Sequence, residues 1–391
     1  MATDVTKRDA NALVQATSLG ELAAFFLRLG TTAFGGPAAH IAIMEDELVR
    51  RRRWLTRETF LDLLGASNLI PGPSSSELAI HIGYQRAGWV GLIVAGSCFI
   101  LPAAMIVGVL AWLYVRFGAL PAVSAILYAV KPVVIAIIVQ ALWGLGRTAV
   151  KSKILAAIGV CALVAAFLGL HPLLLLMIAG AVTCLIETRA SRPAFSNWPF
   201  FGASVATAAT GATAFSLGSL FLVFLKVGAV VFGSGYVLLA FLRADLVVQH
   251  SWLTDSQLID AVAVGQLTPG PVFTTATFIG YLLGGVPGSV VATAGIFAPA
   301  FVLVAASGPL VPRIRRSKFA GAFLDGVNVG SLALMAYVSW QLGRASLVDF
   351  VTVGLAIVSA VALFRWRVNS VWLILGGALV GLLTLLIHRG V

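Results

Sequence analysis

Long apolar runs, separated by short polar stretches, dominate this chain. Each of eight runs is close to the ~20 residues that an α-helix needs to cross the hydrocarbon core of a bilayer. None of them alternates polar and apolar residues as a membrane β-strand does, so the pattern predicts membrane helices. The runs are 88–115, 121–145, 154–170, 173–186, 285–310, 319–342, 350–364 and 371–387.

Two pairs of shorter apolar segments precede the first run, and glycine and proline interrupt each pair. Proline removes an amide donor, disfavours helical geometry in the residue before it and suits the first turn of a new helix. Each pair therefore predicts a broken helix or a re-entrant hairpin whose tip lies inside the membrane. The alternative is a helix that is only kinked for packing. The pairs are 21–34 with 38–49, divided by Gly35-Gly36-Pro37, and 56–70 with 74–84, divided by Pro71-Gly72-Pro73.

The whole pattern occurs twice in the chain. Matching residues lie 198 positions apart, and 197 apart after a one-residue slip near position 82. Two homologous halves with interrupted segments at matched positions are the layout of a secondary transporter whose binding site lies between the repeats. The matches include Phe34-Gly35-Gly36-Pro37 with Phe232-Gly233-Ser234-Gly235, Trp54-Leu55-Thr56 with Trp252-Leu253-Thr254, Pro71-Gly72-Pro73 with Pro269-Gly270-Pro271, and Ile82-Gly83-Tyr84 with Ile279-Gly280-Tyr281.

Basic residues alternate between equivalent loops of the two halves. Arginines occupy 50–53 in the first half, where the second half carries Asp245 and His250 nearby. By the positive-inside rule, loops that are cytoplasmic in one half are external in the other, so the repeats are inverted. The predicted fold is an all-α integral membrane protein with two inverted-topology repeats. Each repeat has two broken or re-entrant helix hairpins followed by about four transmembrane helices, and a linker helix joins the repeats.

This prediction divides the chain into four parts. A polar N-terminal segment covers 1–20, the first repeat 21–187 and the second repeat 219–391. The linker, 188–218, supplies the additional crossing that inversion requires. With four spans in each repeat, the expected minimum is nine crossings.

Composition supports a membrane protein and argues against several other classes. The chain has 60% hydrophobic and 10% charged residues, too few polar groups to cover a water-soluble globule. Its net charge of +11 comes from loops beside apolar runs, so we expect a bilayer partner and no nucleic acid. The three cysteines have no metal or redox spacing. No cofactor is predicted, and no constellation of catalytic residues indicates an enzyme.

Helix breaks at membrane depth are candidate anion sites. They leave N-terminal amides without partners, at the positive end of the helix dipole. Four such N-termini that converge would suit a tetrahedral dianion. The candidate substrate-binding residues of the breaks are Phe34, Gly35, Gly36, Pro71, Gly72, Pro73, Ser74, Ser75, Phe232, Gly233, Ser234, Pro269, Gly270, Pro271 and Thr274.

Three cations within apolar stretches add candidate counter-charges. Arg28 and Lys226 occupy equivalent positions, six residues before each Phe-Gly pair, and Lys131 lies within a span beside Pro132. A cation at such depth is expensive and marks a functional residue by default. The alternative for Arg28 and Lys226 is that their long side chains extend to the membrane interface.

Four acidic residues are candidates for binding a coupling proton. They are Asp62, its equivalent Asp260, Glu77 and Asp325. A buried carboxyl can take up a proton because burial disfavours its ionised form. For Asp62 and Asp260, a polar position on a helix surface near the interface is the alternative.

At these motifs the chain resembles the chromate ion transporter family. The resemblance rests on the order, spacing and duplication of an FGG-type motif, a Trp-Leu-Thr motif and a Pro-Gly-Pro motif, and it covers nearly the whole chain. The second half departs from the pattern at Ser234-Gly235, where a proline is missing. The resemblance implies export of chromate from the cytoplasm and chromate resistance, with sulfate as a natural look-alike.

We therefore expect an inner-membrane carrier that exports chromate by alternating access. A dianion leaving a negative cytoplasm gains about 4.6 kcal/mol per 100 mV, twice the value for one charge, so export needs no coupling ion. The alternatives are a permease for sulfate or another oxyanion, and a passive anion channel. A homodimer is left open.

Overall fold

The computed structural model describes residues 17–118, 120–190, 215–231, 237–307 and 318–389. Within these ranges the regular structure is helical, with fourteen α-helices and no strand, which confirms the all-helical fold class. The first half contains α1 (Leu19–Thr32), α2 (Gly36–Met44), α3 (Arg57–Ser67), α4 (Ser74–Phe117), α5 (Pro121–Ala149), α6 (Lys153–Phe167) and α7 (Pro172–Ala190). The second contains α8 (Leu217–Val230), α9 (Leu238–Leu242), α10 (Asp255–Leu267), α11 (Thr275–Ser307), α12 (Lys318–Ser346), α13 (Phe350–Arg365) and α14 (Ser370–Arg389).

Length and composition identify the helices that fit a membrane. Among the described residues, four helical stretches are long and apolar enough to cross one, and five shorter helices are also apolar. The predicted linker helix lies mostly in 191–214, outside the described residues. The long stretches are Ser74–Phe117, Pro121–Ala149, Val272–Ser307 and Phe319–Ser346.

The helix breaks of the first half lie where glycine and proline predict them. Thr32 ends α1 and Gly36 begins α2, while Ser67 ends α3 and Ser74 begins α4. The sequence pattern did not reveal that α2 and α9 continue as π-helices. These π-helical segments, Glu45–Arg51 and Arg243–Gln249, lie at equivalent positions of the two halves.

Both α4 and α11 contain a sharp reversal. In α4 the helical geometry is lost at Ala87 and Gly88, between the predicted segments 74–84 and 88–115. A Cβ atom on Gly83 would lie 2.2 Å from the Gly91 carbonyl oxygen, so the chain folds back with its backbones in contact. Gly280 and Gly288 make the same approach in α11, around non-helical Gly284 and Gly285.

The start of α1, the end of the first π-helical segment and the end of the short arm of α4 meet at one place. Arg86, at the end of this arm, donates hydrogen bonds to Thr17 Oγ1 at 3.0 Å and to the Trp54 carbonyl at 2.8 Å. The glycine-proline breaks lie at the other end of the same helices. The first half therefore contains two helical hairpins with a common base and neighbouring tips.

The last two helices of each half pack against a helix of the other half. Within each half, the first helix packs against the reversing helix: α1 against α4, and α8 against α11. Across the halves, α6 and α7 pack on α12, while α13 and α14 pack on α5. Each half therefore supplies the outer helices that cover the other, and one large apolar core includes residues of both.

The helices α4 and α11 also contact each other, and their residue numbers run in opposite directions along the contact. Leu92 and Val304 belong to one apolar cluster, and Gly96 lies against the ring of Phe301. Further along α4, Gly108 lies near Thr277, at the start of α11. These two equivalent helices are therefore antiparallel where they meet.

Candidate functional site

The two Pro-Gly-Pro loops reach across into opposite halves. The Gly72 amide donates to the carbonyl of Val231, the C-cap residue that follows α8, at 2.7 Å. In the reciprocal contact the Gly270 amide donates to the carbonyl of Ala33, the C-cap residue that follows α1, at 2.9 Å. The loops and the ends of both first helices therefore meet at one place, which we call the tip cluster.

Glycine is required in both loops. Gly72 and Gly270 have φ angles of 137° and 87°, which side chains rarely adopt. A Cβ on Gly72 would lie 2.4 Å from Glu77 Oε1, and one on Gly270 would lie 2.6 Å from the Ala103 Cβ. A side chain on Gly270 would therefore push its loop away from the first half, whereas one on Gly72 would displace the Glu77 side chain.

Helix N-termini at the tip cluster lack side-chain caps. Gly35 precedes α2, Pro73 precedes α4 and Pro271 precedes the 3₁₀ turn Val272–Thr274 that leads into α11, and none of the three provides a capping bond. Helix starts without a side-chain cap lie at the positive end of the helix dipole, which is the property of an anion site. By contrast, side chains cap α1, α3, α6, α8, α10 and α13, namely those of Ser18, Thr56, Ser152, Ser216, Thr254 and Asp349.

His40 connects three elements of the tip cluster. Its Nε2 lies 3.1 Å from the Ala33 carbonyl and its Nδ1 lies 3.3 Å from Ser75 Oγ. Because a carbonyl only accepts, Nε2 carries the proton, and in the neutral ring Nδ1 accepts from the serine. This fully buried ring therefore fixes the end of α1 and the starts of α2 and α4 relative to one another.

Glu77 lies directly behind the first loop. Its side chain is fully buried, and neither carboxyl oxygen has a hydrogen-bond partner. An ionised carboxylate that is buried without a partner costs free energy, and it would repel an anion at the start of α4. The structure therefore brings this proton candidate to the tip cluster.

The other predicted tip residues differ in exposure. In the first half, Phe34 is 40% exposed and Gly36 has open space beside it, whereas Ser75 is buried. In the second half the loop is buried, and the Thr274 hydroxyl donates to the Pro271 carbonyl at 2.7 Å. Buried with them are Pro73, Ser74 and Pro269, whereas Pro71 is partly exposed. Three predicted residues, Phe232, Gly233 and Ser234, lie outside the described residues.

Arg28 and Lys226 lie opposite acids of their own hairpins. Lys226 Nζ forms an ion pair with Asp245 Oδ1 at 2.6 Å, and Asp245 is only 2% exposed. Arg28 lines a cavity of about 450 Å³, and Asp46 and Glu47 line it too. Glu47 is the equivalent of Asp245, but Arg51 and Arg52 form ion pairs with it in the first half. Sequence reasoning missed the pair of Lys226 and Asp245 because they lie 19 positions apart along the chain.

Lys131 is brought to a second cluster, between the halves. Its Nζ lies 3.4 Å from Asp260 Oδ1 and donates to Ser256 Oγ at 2.6 Å. The Tyr114 hydroxyl donates to the other carboxyl oxygen of Asp260 at 3.0 Å. Two separately predicted residues, a counter-charge and a proton carrier, are thus neighbours, whereas sequence reasoning identified neither Tyr114 nor Ser256.

The remaining proton candidates lie elsewhere. Asp62 is exposed on α3, as its surface alternative predicts. Asp325 forms an ion pair at 2.7 Å with Lys151, which is 60% exposed. Asp325 therefore belongs to a contact between α12 and the start of α6.

Comparisons with known proteins agree on one family. A sequence model described as chromate transporter matches residues 20–185 and again 218–382. A chromate transport protein of Cupriavidus metallidurans is 33% identical over 93% of this chain and 93% of its own length. One of Pseudomonas aeruginosa is 33% identical over 97% and 95%, and a probable one of Synechococcus elongatus is 32% identical over 91% and 92%. No solved structure is significantly similar.

Proposed function

Because this chain belongs to the chromate transporter family, we propose that it exports chromate from the cytoplasm and so confers chromate resistance. The family is one of transporters rather than enzymes, and the apolar helices make the chain a multi-pass membrane protein. We place the protein in the inner membrane in this proposal, because chromate that leaves the cytoplasm must cross that membrane.

The tip cluster is the observation that carries the substrate site. Two reciprocal hydrogen bonds, from Gly72 to Val231 and from Gly270 to Ala33, bring together helix starts that no side chain caps. Amides and helix dipoles at such starts favour a compact anion. Chromate is a tetrahedral dianion, so several amides can bind its oxygens at once.

Inverted repeats are the second part of the proposal. They are supported by the antiparallel contact of α4 with α11 and by the two matches to the family model. Repeats of opposite orientation would bring their tips together at mid-depth from opposite sides. Alternating access then follows if one repeat rocks against the other around the tip cluster. The proposed boundaries are 21–187 and 219–391, with the linker 188–218 between them.

Membrane potential provides the driving force. A dianion that leaves a negative cytoplasm gains about 4.6 kcal/mol per 100 mV, from roughly 2.3 kcal/mol for each charge. This exceeds the roughly 4.1 kcal/mol of a thousandfold concentration gradient. Export can therefore proceed without energy from a second ion.

Sulfate transport by the same site is the alternative function. Backbone amides respond to the charge and shape of an anion more than to its central atom, and the described tips offer mainly backbone groups. A passive anion channel is the other alternative. Flux far above carrier turnover would favour it.

Uptake into inverted vesicles tests the proposal. We expect chromate uptake to increase with an interior-positive potential, set by a potassium gradient, and to continue with no pH gradient. Sulfate in excess measures selectivity by competition, and vesicles without the protein provide the baseline. Chromate movement equal to that baseline at every potential would refute the proposed function.

A further inference from the structure

The contact between the halves contains a buried group of charges away from the two loops. Tyr114 and Lys131 of the first half meet Ser256 and Asp260 of the second, through the three contacts of 2.6 to 3.4 Å described above. Lys131 is the eleventh residue of α5, so it lies roughly 15 Å along the helix from its start. We call these four residues the lysine cluster.

The residues of the lysine cluster differ in how much of each side chain is exposed to solvent. Asp260 is 2% exposed, whereas the Lys131 side chain is 20% exposed and Ser256 is exposed. An ion that arrives beside Ser256 therefore meets the ammonium group before the carboxylate. Asp260 Oδ1 accepts no hydrogen bond and faces Lys131 at 3.4 Å, so this oxygen has capacity for a proton.

The charges of Lys131 and Asp260 cancel when both are ionised. A dianion at Lys131 would then be repelled by a carboxylate only a few ångströms further away, in a poorly screened interior. A proton on Asp260 removes this repulsion and leaves the lysine charge without compensation. Each bound ion would therefore favour binding of the other, and such coupling is reciprocal.

We propose that the lysine cluster is one coupled site, which binds an oxyanion at Lys131 and Ser256 only when Asp260 holds a proton. The lysine cluster is a second anion site, away from the tip cluster, and the inference rests on the proposed function because its anion is the transported oxyanion. Tyr114 keeps its role in both states, since its hydroxyl can donate to a carboxylate or to a neutral carboxyl group.

Other charged groups lie on α10 and on the helices that pack against it in the described part of the chain. On α10 itself, Asp255 is held by Arg243 of the second π-helical segment through two bonds of 2.8 and 3.0 Å. Among the other helices that pack on α10, α11 has no charged residue, and Asp325 of α12 is paired with Lys151. In the second π-helical segment, Asp245 is paired with Lys226. The other titratable or basic groups of the packed helices are Glu77, His81, Tyr84, Arg86, Cys98 and exposed Arg116 on α4, Tyr128 and Arg147 on α5, Tyr281 on α11, Lys318, Tyr337 and Arg344 on α12, and His388 and Arg389 on α14.

The site occurs in one orientation only. The equivalents of Lys131 and Ser256 in the other half are Asn328 and Glu58, so that position has no lysine and an additional acid. The repeats are thus similar in fold but not in charge. Because proton-linked binding occurs at only one of the two equivalent positions, the two conformations of a rocking carrier are not equivalent by symmetry.

Sulfate binding to the purified full-length protein tests the inference, because sulfate stays a dianion from pH 5 to 8. We expect sulfate affinity to increase by up to about tenfold for each unit that pH falls. In weak buffer, sulfate should also cause uptake of up to one proton per site. Asp260→Asn should bind tightly at every pH without proton uptake, and Lys131→Gln should bind weakly at every pH.

Two further variants control for protein stability and for the position of the acid. Lys131→Gln/Asp260→Asn carries neither charge, so it excludes instability from an unpaired buried charge as the cause of weak binding. Glu58→Gln changes an exposed acid in the equivalent turn and should leave the pH dependence as in the wild type. Unchanged pH dependence in Asp260→Asn, or sulfate binding by wild type without proton uptake, would overturn the inference.

Chromate flux in vesicles separates this inference from the proposed function. If chromate crosses but sulfate binding takes up no proton, the proposed function stands and the coupled site is refuted. If sulfate binding is proton-linked but chromate does not cross, the coupled site stands and the proposed function fails.

Discussion

At the scale of residues, the glycines of the crossing loops differ from glycines that only end helices. Gly270 has a positive φ, and a Cβ there would lie 3.0 Å from the Gly30 carbonyl as well as close to Ala103. Gly169 also has a positive φ, 84°, but nothing lies within 4 Å of its Cβ position. Arg367, which follows the C-cap of α13 as Gly169 follows that of α6, is not a glycine and has a φ of 52°.

We therefore predict that Gly270→Ala loses at least tenfold in chromate flux, because the added methyl group displaces the loop that binds Ala33. Gly169→Ala is the matched control, with only the strain of about 1 to 2 kcal/mol that left-handed geometry costs. Vesicle uptake, normalised to the amount of folded protein, measures both. Equal flux in the two variants would argue against a substrate site at the loops.

The ion pair of Lys226 with Asp245 gives a second residue-level prediction. Lys226→Gln leaves a buried carboxylate without its cation, so we expect a stability loss of about 1–3 kcal/mol. Lys226→Gln/Asp245→Asn should recover most of it. Thermal unfolding in detergent, followed through the fluorescence of the nine tryptophans, measures the change.

Transport by the double variant then tests the predicted counter-charge role of Lys226. A stable double variant that transports normally would contradict that role. Lys226 would then only stabilise its hairpin. Arg28 lines a cavity with two acids that Arg51 and Arg52 already bind, so the single change Arg28→Gln tests the counter-charge role in the first half.

At the scale of elements, the reversals in α4 and α11 depend on backbone contact. Gly83 and Gly91 approach so closely that each occupies the space of the other's Cβ. We predict that Gly83→Ala lowers the unfolding temperature, because overpacking of this kind costs about 1–3 kcal/mol or more. Gly108→Ala in the same helix meets only a methyl group at 4.0 Å, so it should be neutral or stabilising.

The unfolding temperatures of the two variants decide whether the reversal is a packed hairpin. If Gly83→Ala were as stable as Gly108→Ala, the short arm of α4 would not be packed against the long one. The equivalent change Gly280→Ala repeats the test in α11, where the Gly288 oxygen lies 2.3 Å from the Cβ position.

Each half has an ion pair at an equivalent position, but the signs of its two charges differ between the halves. Arg243 binds Asp255 through two bonds in the second half, and Glu45 faces Arg57 at 3.9 Å in the first. These are equivalent positions with the charges exchanged. The pair connects a π-helical segment to the following helix in both halves, so its position follows from the repeated fold.

At the scale of the whole molecule, inversion of the repeats is the prediction with the widest consequences. Arg53 and Ser251 are equivalent, both are exposed, and both have a φ near 50°. In a variant without the three native cysteines, we expect Ser251→Cys to react with a membrane-impermeant thiol reagent in intact cells. Arg53→Cys should react only after the membrane is opened, because basic loops are cytoplasmic.

Labelling of both positions from the same side would contradict inversion and the proposed alternating access. A cysteine at an apolar membrane position, such as the native Cys161 retained alone, gives the background of reagent that enters the bilayer.

The sequence by itself determined the features that depend on local chemistry. The duplication, the helical class and the breaks at Pro71-Gly72-Pro73 follow from apolar run lengths and from what proline and glycine do to the residues beside them. These signals lie within a few residues of the structure that they specify. The separation of segment 74–84 from 88–115 was predicted for the same reason.

Only the tertiary structure decided which distant groups meet. Lys131 faces Asp260 and the Gly72 amide binds Val231 across more than a hundred residues of chain, and no periodicity encodes such a pairing. The exchange of outer helices between the halves is of the same kind. Apolar helix faces specify burial but not a partner, so the partner is fixed when close-packed surfaces and buried charges are satisfied together.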